Sequence, residues 1–375
     1  MNGCSPTIYV ATIIDSYNYG TVLQAVATRD VLERYGQPVF IDHCRYNWTW
    51  PGWIKERMAD TTRSLPKRAL RTVATLPMKA VKKPVFRRFV ERRLPLCDAT
   101  PFEEGGVEFD ADAVYCVGSD QTWNYVYNYG IDPVYYLQHV PATCRKFAYA
   151  ASFGRAELPQ AERDETRPLL QNFEAISLRE SSGVGVLESL GISGGVALKD
   201  PVLLCDPVLW DKLTVGVPKV KDDYVLVYML NRSERMVAYA RRVAAERGLQ
   251  VRMIMYNTLP APKGCKGVIL PTPEEWVALF RDAKFVITDS FHGTCFSILF
   301  ERPMAVFYPP KYSVRLSDVL SDFGLEKRLV PEDAPLEEIR VADESVDWAR
   351  IRALKACFRA EGKAFLDSVF EGAEE

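Results

Sequence analysis

The sequence is poor in several features that mark particular classes of protein. Its 375 residues contain three histidines and nine cysteines, with no C-x-x-C pair and no Cys/His spacing typical of zinc sites. No window approaches 18 consecutive apolar residues, and no positively charged region precedes the first apolar run. These absences argue against a structural zinc module, a membrane span and a signal peptide. We expect reduced thiols in a cytoplasmic protein.

A net charge of one sign is also missing, except in one segment. The 47 Lys and Arg nearly balance 49 Asp and Glu, which gives no reason to expect nucleic acid as a partner. Residues 55–93, however, hold thirteen basic residues against three acids, a net charge of +10. This basic segment mixes Lys and Arg with Leu, Val, Phe and Met at roughly helical spacing. It suits an anionic membrane face or a lipid diphosphate carrier, and a solvated helical insertion is the alternative.

Strand-length apolar runs alternate with helix-period stretches over most of the chain. A strand over 7–14, a helix over 21–36 and a strand over 38–44 form a βαβ unit. Such a unit implies a parallel sheet covered by helices on both faces. Further strands are predicted over 111–118, 146–152, 175–180, 224–230, 250–256, 284–290 and 304–309.

The alternation is interrupted near residues 206–222, where a second set of strands and helices starts. The fold class predicted from this pattern is α/β, with two doubly wound domains. The first covers 1–206 and includes the basic segment, and the second covers 207–375, with a C-terminal helix that could cross back to the first. In such sheets ligands bind beyond the carboxyl ends of the strands.

Three strand-to-helix junctions are polar where a plain fold needs only a turn. The first is DSYNYGTVLQA, residues 15–25. Asn18 and Gly20 suit a sharp turn, and the amides of the following helix could receive an anion or a sugar hydroxyl. A loop with Asn18 as a helix cap is the alternative.

The second junction is VGSDQTWNY, residues 117–125. Its hydrogen-bonding side chains lie beside an indole, which is typical of carbohydrate sites, where an aromatic face supports the sugar ring. The alternative is a capped turn with Trp123 in the core.

The third junction is VITDSFHGTCFSILF, residues 286–300, in which His292 follows a predicted strand and precedes a helix predicted over 294–301. A helix amino terminus there would hold an anion next to the imidazole. A satisfied structural histidine is the alternative, and a nucleophile formed by Cys295 with His292 is a third, weaker one.

Two arginines could complete an anion site. Arg179 lies just past a predicted strand and Arg315 just before a predicted helix. A guanidinium can grip a carboxylate or phosphate with two hydrogen bonds. Either arginine could equally form a surface ion pair.

Five motifs together resemble the polysaccharide pyruvyl transferase family. They are NYGTVLQA at 18–25, GSDQTWN at 118–124, SLRE at 177–180, DPVLL at 200–204 and VITDSFHG at 286–293. Each motif is weak alone, but they occur in the expected order over roughly residues 7–330.

The resemblance implies two Rossmann-like domains facing a cleft, as in B-type glycosyltransferases. It implies transfer of pyruvate from phosphoenolpyruvate, a co-substrate, to a sugar hydroxyl pair as a cyclic ketal, with no cofactor and no metal. The acceptor would be a bacterial surface polysaccharide or its lipid-linked precursor, handled in the cytoplasm or at the inner face of the membrane.

The resemblance also suggests roles for individual residues. His292 would be the general acid, and Asp120 is our candidate base for the sugar hydroxyl. Donor-binding candidates are Arg179, Arg315, Ser290, Gly293, Thr294 and Lys311. Acceptor-binding candidates are Asn18, Tyr19, Gly20, Gln24, Gly118, Ser119, Gln121, Trp123 and Asn124.

One position departs from the family pattern. Many relatives carry an arginine two positions before the histidine, where this chain has Ser290, and Arg315 or Lys311 would have to supply that charge. Two other functions stay open at this point: a nucleotide-sugar-dependent glycosyltransferase of the same fold, and a non-catalytic glycan-binding protein.

Overall fold

A computed structural model describes most of the chain and divides it into two compact units. The described residues are 5–44, 49, 54, 58, 64–308, 314–331 and 334–371. One unit comprises Met1–Cys205 together with Ala360–Glu375, and the other comprises Asp206–Arg359.

The first unit is built on a seven-stranded sheet in which every pairing is parallel. The strand order is β3-β2-β1-β4-β5-β6-β7. The strands are β1 Thr7–Ala11, β2 Gln37–Ile41, β3 Leu96–Cys97, β4 Val114–Val117, β5 Arg145–Ala151, β6 Ala175–Leu178 and β7 Val196–Ala197.

Helices connect these strands, as parallel pairing requires. They are α1 Tyr19–Leu32, α2 Leu65–Arg93, α3 Thr100–Glu104, α4 Tyr125–Asn128, α5 Gln160–Leu170, α6 Ser181–Ser189 and α7 Pro201–Leu204. The basic segment of the sequence thus contains α2, a helix of 29 residues. Among the helices in the described part of the chain, none is both long and apolar enough to cross a membrane.

The second unit contains a six-stranded sheet, again parallel throughout. Its order is β10-β9-β8-β11-β12-β13. The strands are β8 Tyr224–Tyr228, β9 Gln250–Met255, β10 Lys266–Ile269, β11 Phe285–Thr288, β12 Met304–Phe307 and β13 Leu329–Val330. The helices are α8 Val208–Leu213, α9 Glu234–Arg247, α10 Pro273–Asp282, α11 Phe291–Leu299, α12 Val314–Asp322 and α13 Trp348–Glu371, with 3₁₀ turns at Glu326–Arg328 and Leu336–Glu338.

The central strands read as continuous apolar runs because helices cover both faces of each sheet. Every residue of β4, β8, β11 and β12 is buried. The predicted fold class, two parallel-sheet α/β domains, is therefore confirmed.

The final part of α13 belongs to the first unit. The hydroxyl of Tyr35 lies 2.7 Å from Oδ1 of Asp367, and the ring of Phe370 stacks on Tyr35 at 5.0 Å. Phe370 also meets Phe147 of β5 edge to face at 5.7 Å. Residues 360–371 thus complete the packing of a unit whose other residues precede position 206.

Candidate active site

The first two polar junctions lie at the same edge of the first sheet. Strands β1 and β4 are hydrogen-bonded neighbours with Ala11 opposite Val117, so the segments that follow them emerge side by side. The hydroxyl of Thr12 donates to the carbonyl of Ser119 at 2.7 Å. A Cβ at Gly118 would lie 2.9 Å from the Cβ of Thr12, so the glycine allows this close approach.

The first junction is held mainly by its own side chains. Asn18 caps α1, with Oδ1 accepting from the Gly20 amide at 3.0 Å. Tyr19 is buried with its ring 4.9 Å from that of Phe86, and the buried amide of Gln24 donates to Thr12 at 3.1 Å. Asn18 therefore acts as a helix cap, which is the alternative stated for this junction. The side chains of Tyr19 and Gln24, which were predicted to contact the acceptor, point into the fold.

Asp120 connects the first junction to the second. Its Oδ2 accepts from the hydroxyl of Thr21 at 2.8 Å, and its Oδ1 accepts from the Gln121 amide at 2.9 Å. The backbone of Asp120 is left-handed, with φ of 76°, a conformation that aspartate tolerates better than most residues.

Arg179 joins Asp120 to two further carboxylates. Its Nη1 lies 3.4 Å from Oδ1 of Asp120 and 3.1 Å from Oδ2 of Asp200, and its Nε lies 3.3 Å from Oε1 of Glu180. Ser152 donates to Glu180 at 2.9 Å, on the same Oε1 that faces Arg179. We call Asp120, Arg179, Glu180 and Asp200 the Arg179 cluster.

The Arg179 cluster and the Thr21 hydroxyl bound to it unite four of the five motifs. Thr21 belongs to NYGTVLQA, Asp120 to GSDQTWN, Arg179 to SLRE and Asp200 to DPVLL. Asp200 also caps α7 through the amide of Val202 at 3.0 Å. The sequence motifs predicted the position of this site but not its contacts. Thr21 and Asp200 were not among the predicted site residues, although the Asp-Pro start of DPVLL is a recognisable capping signal.

The electrostatics of the cluster oppose the predicted donor role of Arg179. Burial lowers the pKa of its guanidinium, but the carboxylates of Glu180, Asp120 and Asp200 outweigh this and raise the pKa above its usual value. The side chain is 1% exposed. A direct grip on an external anion would have to displace carboxylates that already surround the guanidinium.

Trp123 does not form the exposed platform predicted from GSDQTWN. It is 1% exposed, its Nε1 donates to the carbonyl of Tyr135 at 2.8 Å, and its ring packs on Tyr136 and Phe153 at 5.9 and 5.3 Å. The indole is thus part of the core, as the alternative had it.

The other polar side chains of this junction hold the loop. Asn124 caps α4 by accepting from the Tyr127 amide at 3.0 Å, and its Nδ2 donates to Oε1 of Gln121 at 2.5 Å. The hydroxyl of Ser119 is fully buried and has no hydrogen-bond partner among the described residues.

In the second unit, His292 lies in the first turn of α11 at the carboxyl end of β11. The helix begins at Phe291 rather than at the predicted residue 294, because Ser290 caps it by accepting from the Gly293 amide at 3.3 Å. His292 is buried, and its ring lies 5.2 Å from that of Phe291. Ser290 thus has a structural task as the cap of α11.

Gly293 and Thr294, which were predicted to contact the donor, are both buried in the first turn of α11. A Cβ at Gly293 would lie 2.4 Å from Oγ1 of Thr288, so only glycine lets α11 lie this close to β11. The fully buried Thr294 donates its hydroxyl to the carbonyl of Ser290 at 3.1 Å.

Asp289 holds the neighbouring loop against this turn. Its Oδ1 accepts from the Leu230 amide at 2.7 Å, and its Oδ2 accepts from the backbone and side-chain amides of Asn231, both at 2.9 Å. The segment after β8 is thereby tied to the start of α11. Sequence reasoning assigned no such task to Asp289.

Arg315, another predicted donor residue, lies close to the first turn of α11. Its guanidinium carbon lies 5.7 Å from the ring centre of Phe291, the residue before the histidine. Lys311 lies outside the described residues. Within the described part of the chain, no group of three or more His, Cys, Asp or Glu side chains is arranged to hold a metal ion.

The two parallel sheets and the helices that connect their strands define a two-unit α/β protein. A protein from Listeria monocytogenes described as a UDP-N-acetylglucosamine 2-epimerase matches with a TM-score of 0.53 at 10% identity, covering 99% of this chain and 98% of that one. The glycotransferase of kitacinnamycin matches with a TM-score of 0.49 at 11% identity, covering 98% and 99%. At such identities the likeness concerns the fold alone.

The sequence profile of the polysaccharide pyruvyl transferase family matches residues 18–310. The chain therefore belongs to this family and is a transferase. A search of curated proteins finds no match.

Proposed function

We propose that the protein transfers pyruvate from phosphoenolpyruvate to a sugar of a bacterial surface polysaccharide or of its lipid-linked precursor, forming a cyclic ketal. The observation that carries the proposal is the family match over residues 18–310, which includes His292 in the first turn of α11. The chain also has the expected fold, two parallel-sheet α/β units.

The reaction requires a proton at one carbon and the removal of protons from two hydroxyls. A sugar oxygen adds to C2 of the donor while the methylene carbon takes a proton and becomes a methyl group. The second hydroxyl then attacks C2, phosphate leaves with its electron pair, and the ketal closes. A general acid and a general base account for these proton movements without a cofactor.

We assign the general acid to His292 and the donor contact to Arg315. Arg315 lies over Phe291, directly before His292, and supplies a positive charge that suits a donor with a carboxylate and a phosphate. On the acceptor side we assign the role of general base to Asp120, which would accept the proton of the sugar hydroxyl. Its side chain is the most exposed in the Arg179 cluster.

The test is phosphate release from phosphoenolpyruvate on a panel of lipid-linked sugars, with a product that gains one pyruvyl ketal by mass spectrometry. The expected result is turnover by the wild type and its loss in His292→Ala and His292→Gln. Removing a general acid typically slows a reaction by about 10²- to 10⁴-fold. His139→Ala is the matched control, because His139 belongs to the other unit and to none of the motifs.

Two results would contradict the assignment. Near-wild-type turnover by folded His292→Gln removes the histidine from the mechanism. Binding of a nucleotide sugar in place of phosphoenolpyruvate in a calorimetric titration makes the protein a glycosyltransferase instead, and release of no phosphate with any acceptor favours a glycan-binding role.

We also propose that α2 contacts an anionic membrane, where a lipid-linked acceptor would be available. The residues from Leu65 to Arg93 include ten Lys or Arg and one acid, Glu91. Among the described side chains of this helix, Leu65 and Val81 are more than half exposed. Basic groups together with exposed apolar side chains on one helix are what an anionic lipid surface attracts.

A further inference from the structure

The four side chains of the Arg179 cluster differ in their access to solvent. Side-chain exposure is 0% for Asp200, 1% for Arg179, 6% for Glu180 and 8% for Asp120. All four side chains are buried, and the carboxylates of Asp120 and Glu180 are slightly more exposed than the guanidinium of Arg179.

Asp120 also has an unfavourable backbone. Its φ is 76°, and left-handed conformations of residues other than glycine persist where surrounding contacts impose them. The adjacent strand shows the same feature, since Ala150 has φ of 52° and Asp120 bridges to Ala151. The left-handed Ala150 lies where the pairing of β5 with β6 shifts register, next to the loop that holds Asp120.

The contacts that hold Asp120 come from three directions. Thr21 reaches it from α1, Arg179 from the end of β6, and the Gln121 amide from its own loop. Through the same guanidinium Asp120 is joined to Asp200, which caps α7. Arg179 thus links the ends of β4 and β6 with the helix after β7.

We propose that Arg179 is a positioning residue that holds Asp120 where it accepts the proton of the sugar hydroxyl. This inference rests on the proposed function, because it takes the reaction to be pyruvyl transfer to a sugar hydroxyl. Arg179 itself touches neither substrate, since its guanidinium is enclosed by carboxylates. A misplacement of about 1 Å in a catalytic group can cost on the order of 100-fold in rate, so loss of this support reduces turnover without loss of donor affinity.

The experiment compares Arg179→Gln and Arg179→Lys with Arg163→Gln, a partly exposed arginine on α5 of the same unit. Phosphoenolpyruvate binding is measured by calorimetry, and kcat and KM by phosphate release. We expect donor affinity within about twofold of the wild type and a kcat reduced on the order of 100-fold in Arg179→Gln, with partial rescue in Arg179→Lys. A donor affinity reduced tenfold or more with kcat preserved would show that Arg179 binds the donor, and would overturn the proposal.

A second measurement separates this inference from the proposed function. The backbone amide of Gln121 donates to Asp120, so its ¹H–¹⁵N resonance reports the position of that carboxylate whether or not the protein turns over a substrate. Arg179→Lys should shift this resonance and Arg163→Gln should not. An unshifted Gln121 amide contradicts the inference even in an active enzyme, whereas a shifted amide in a protein that ignores phosphoenolpyruvate contradicts only the reaction.

Thr21→Val is a second, milder variant that tests the inference if the Arg179 variants fail to fold. It removes the hydroxyl bond to Oδ2 of Asp120 while keeping the guanidinium and its charge partners. We expect the same pattern in a milder form, a lower kcat with unchanged donor affinity. A shifted Gln121 amide with an unchanged kcat in this variant would show that the position of Asp120 does not limit the reaction, and would overturn the proposal.

Discussion

Gly293 lies where helix α11 comes closest to strand β11. A Cβ at this position would meet Oγ1 of Thr288 at 2.4 Å and a ring carbon of Tyr228 at 3.1 Å. Neither neighbour can move easily, because Thr288 and Tyr228 are fully buried. The glycine therefore fixes the distance at which His292 is held from the sheet.

Gly293→Ala should destabilise the protein, whereas Gly185→Ala should not. Overpacking a buried contact costs about 1 to 3 kcal/mol. Gly185 lies on an exposed part of α6 with nothing within 4 Å of its added Cβ, and alanine there should stabilise the helix by up to about 1 kcal/mol. The urea midpoint measures both. Equal midpoints for the two variants would mean that α11 can move away from β11 at little cost.

The contacts of site residues could not be read from the sequence, although their positions could. The motif letters located Asp120, Arg179 and His292, because polar residues at strand ends stand out against apolar runs. The partners of Asp120, however, are 99 residues away at Thr21 and 59 residues away at Arg179. Only the three-dimensional fold decides whether such an arginine faces a ligand or a neighbouring carboxylate.

Trp123 illustrates the same limit for an aromatic side chain. An indole among Asp, Gln and Asn is equally compatible with a sugar platform and with a core position. The ring contacts with Tyr136 and Phe153 settle its place in the core. The sequence of a loop gives no sign of which face its tryptophan presents.

Helix α2 differs from the other described helices in its charge. Its ten basic residues surround one acid, and Arg87 is held by Asp42 at 2.5 Å and by Glu91 at 2.6 Å. Part of the charge therefore attaches the helix to its own unit. We propose that other basic residues of the helix, such as Lys83 and Arg88, contact an anionic membrane surface.

Reversing two charges on α2 should weaken binding to anionic vesicles. Each basic residue near an anionic membrane contributes about 1 kcal/mol, so Lys83→Glu with Arg88→Glu should lower the partition coefficient at least about tenfold. Sedimentation with phosphatidylglycerol vesicles measures this, with phosphatidylcholine vesicles and Lys363→Glu as controls. Equal binding to both vesicle types, or none to either, would contradict the membrane contact.

Element boundaries were less predictable than element types. Strands such as β4 and β11 were found because all their residues are apolar or small and buried on both sides. The start of α11 was placed three residues late, although Ser290 three residues before Gly293 is a readable cap. A histidine and an aromatic residue in the first turn obscured the helical period.

Buried phenol and thiol groups are spread through both units. Burial raises the pKa of the hydroxyls of Tyr115, Tyr136, Tyr149, Tyr224 and Tyr228 and of the thiol of Cys116. Each group is neutral when buried and ionises more easily in the unfolded chain. Their contribution to stability is therefore complete below the unfolded pKa values, about 8.5 for Cys and 10 for Tyr, and is lost as pH rises above them.

Tyr149→Phe should reduce this alkaline loss of stability with little effect at neutral pH. The Tyr149 hydroxyl is buried and has no hydrogen-bond partner among the described residues, so its removal leaves no group unsatisfied. Each such tyrosine removes about 1.4 kcal/mol per pH unit above pH 10 until its folded form ionises. Urea midpoints from pH 8 to pH 11 check this, with exposed Tyr308→Phe as the control. Parallel curves for wild type and Tyr149→Phe would refute it.

At the scale of the whole molecule, the fold class followed from the alternation of apolar runs and helical stretches. That pattern reflects burial of both sheet faces, which acts on every strand and so leaves a repeated signal. The sequence carries a weaker signal that residues 360–375 belong to the first unit. It depends on a few long-range contacts, such as Phe370 with Tyr35 and Phe147.

This discontinuity of the first unit imposes an order on its synthesis. Residues 206–359 are contiguous, and the ribosome delivers all of them before the segment that packs on Tyr35 and Phe147. Domains generally fold as units while the chain emerges. The second unit can therefore finish folding first. Until the end of α13 has been synthesised, part of the surface of the first unit's sheet stays uncovered.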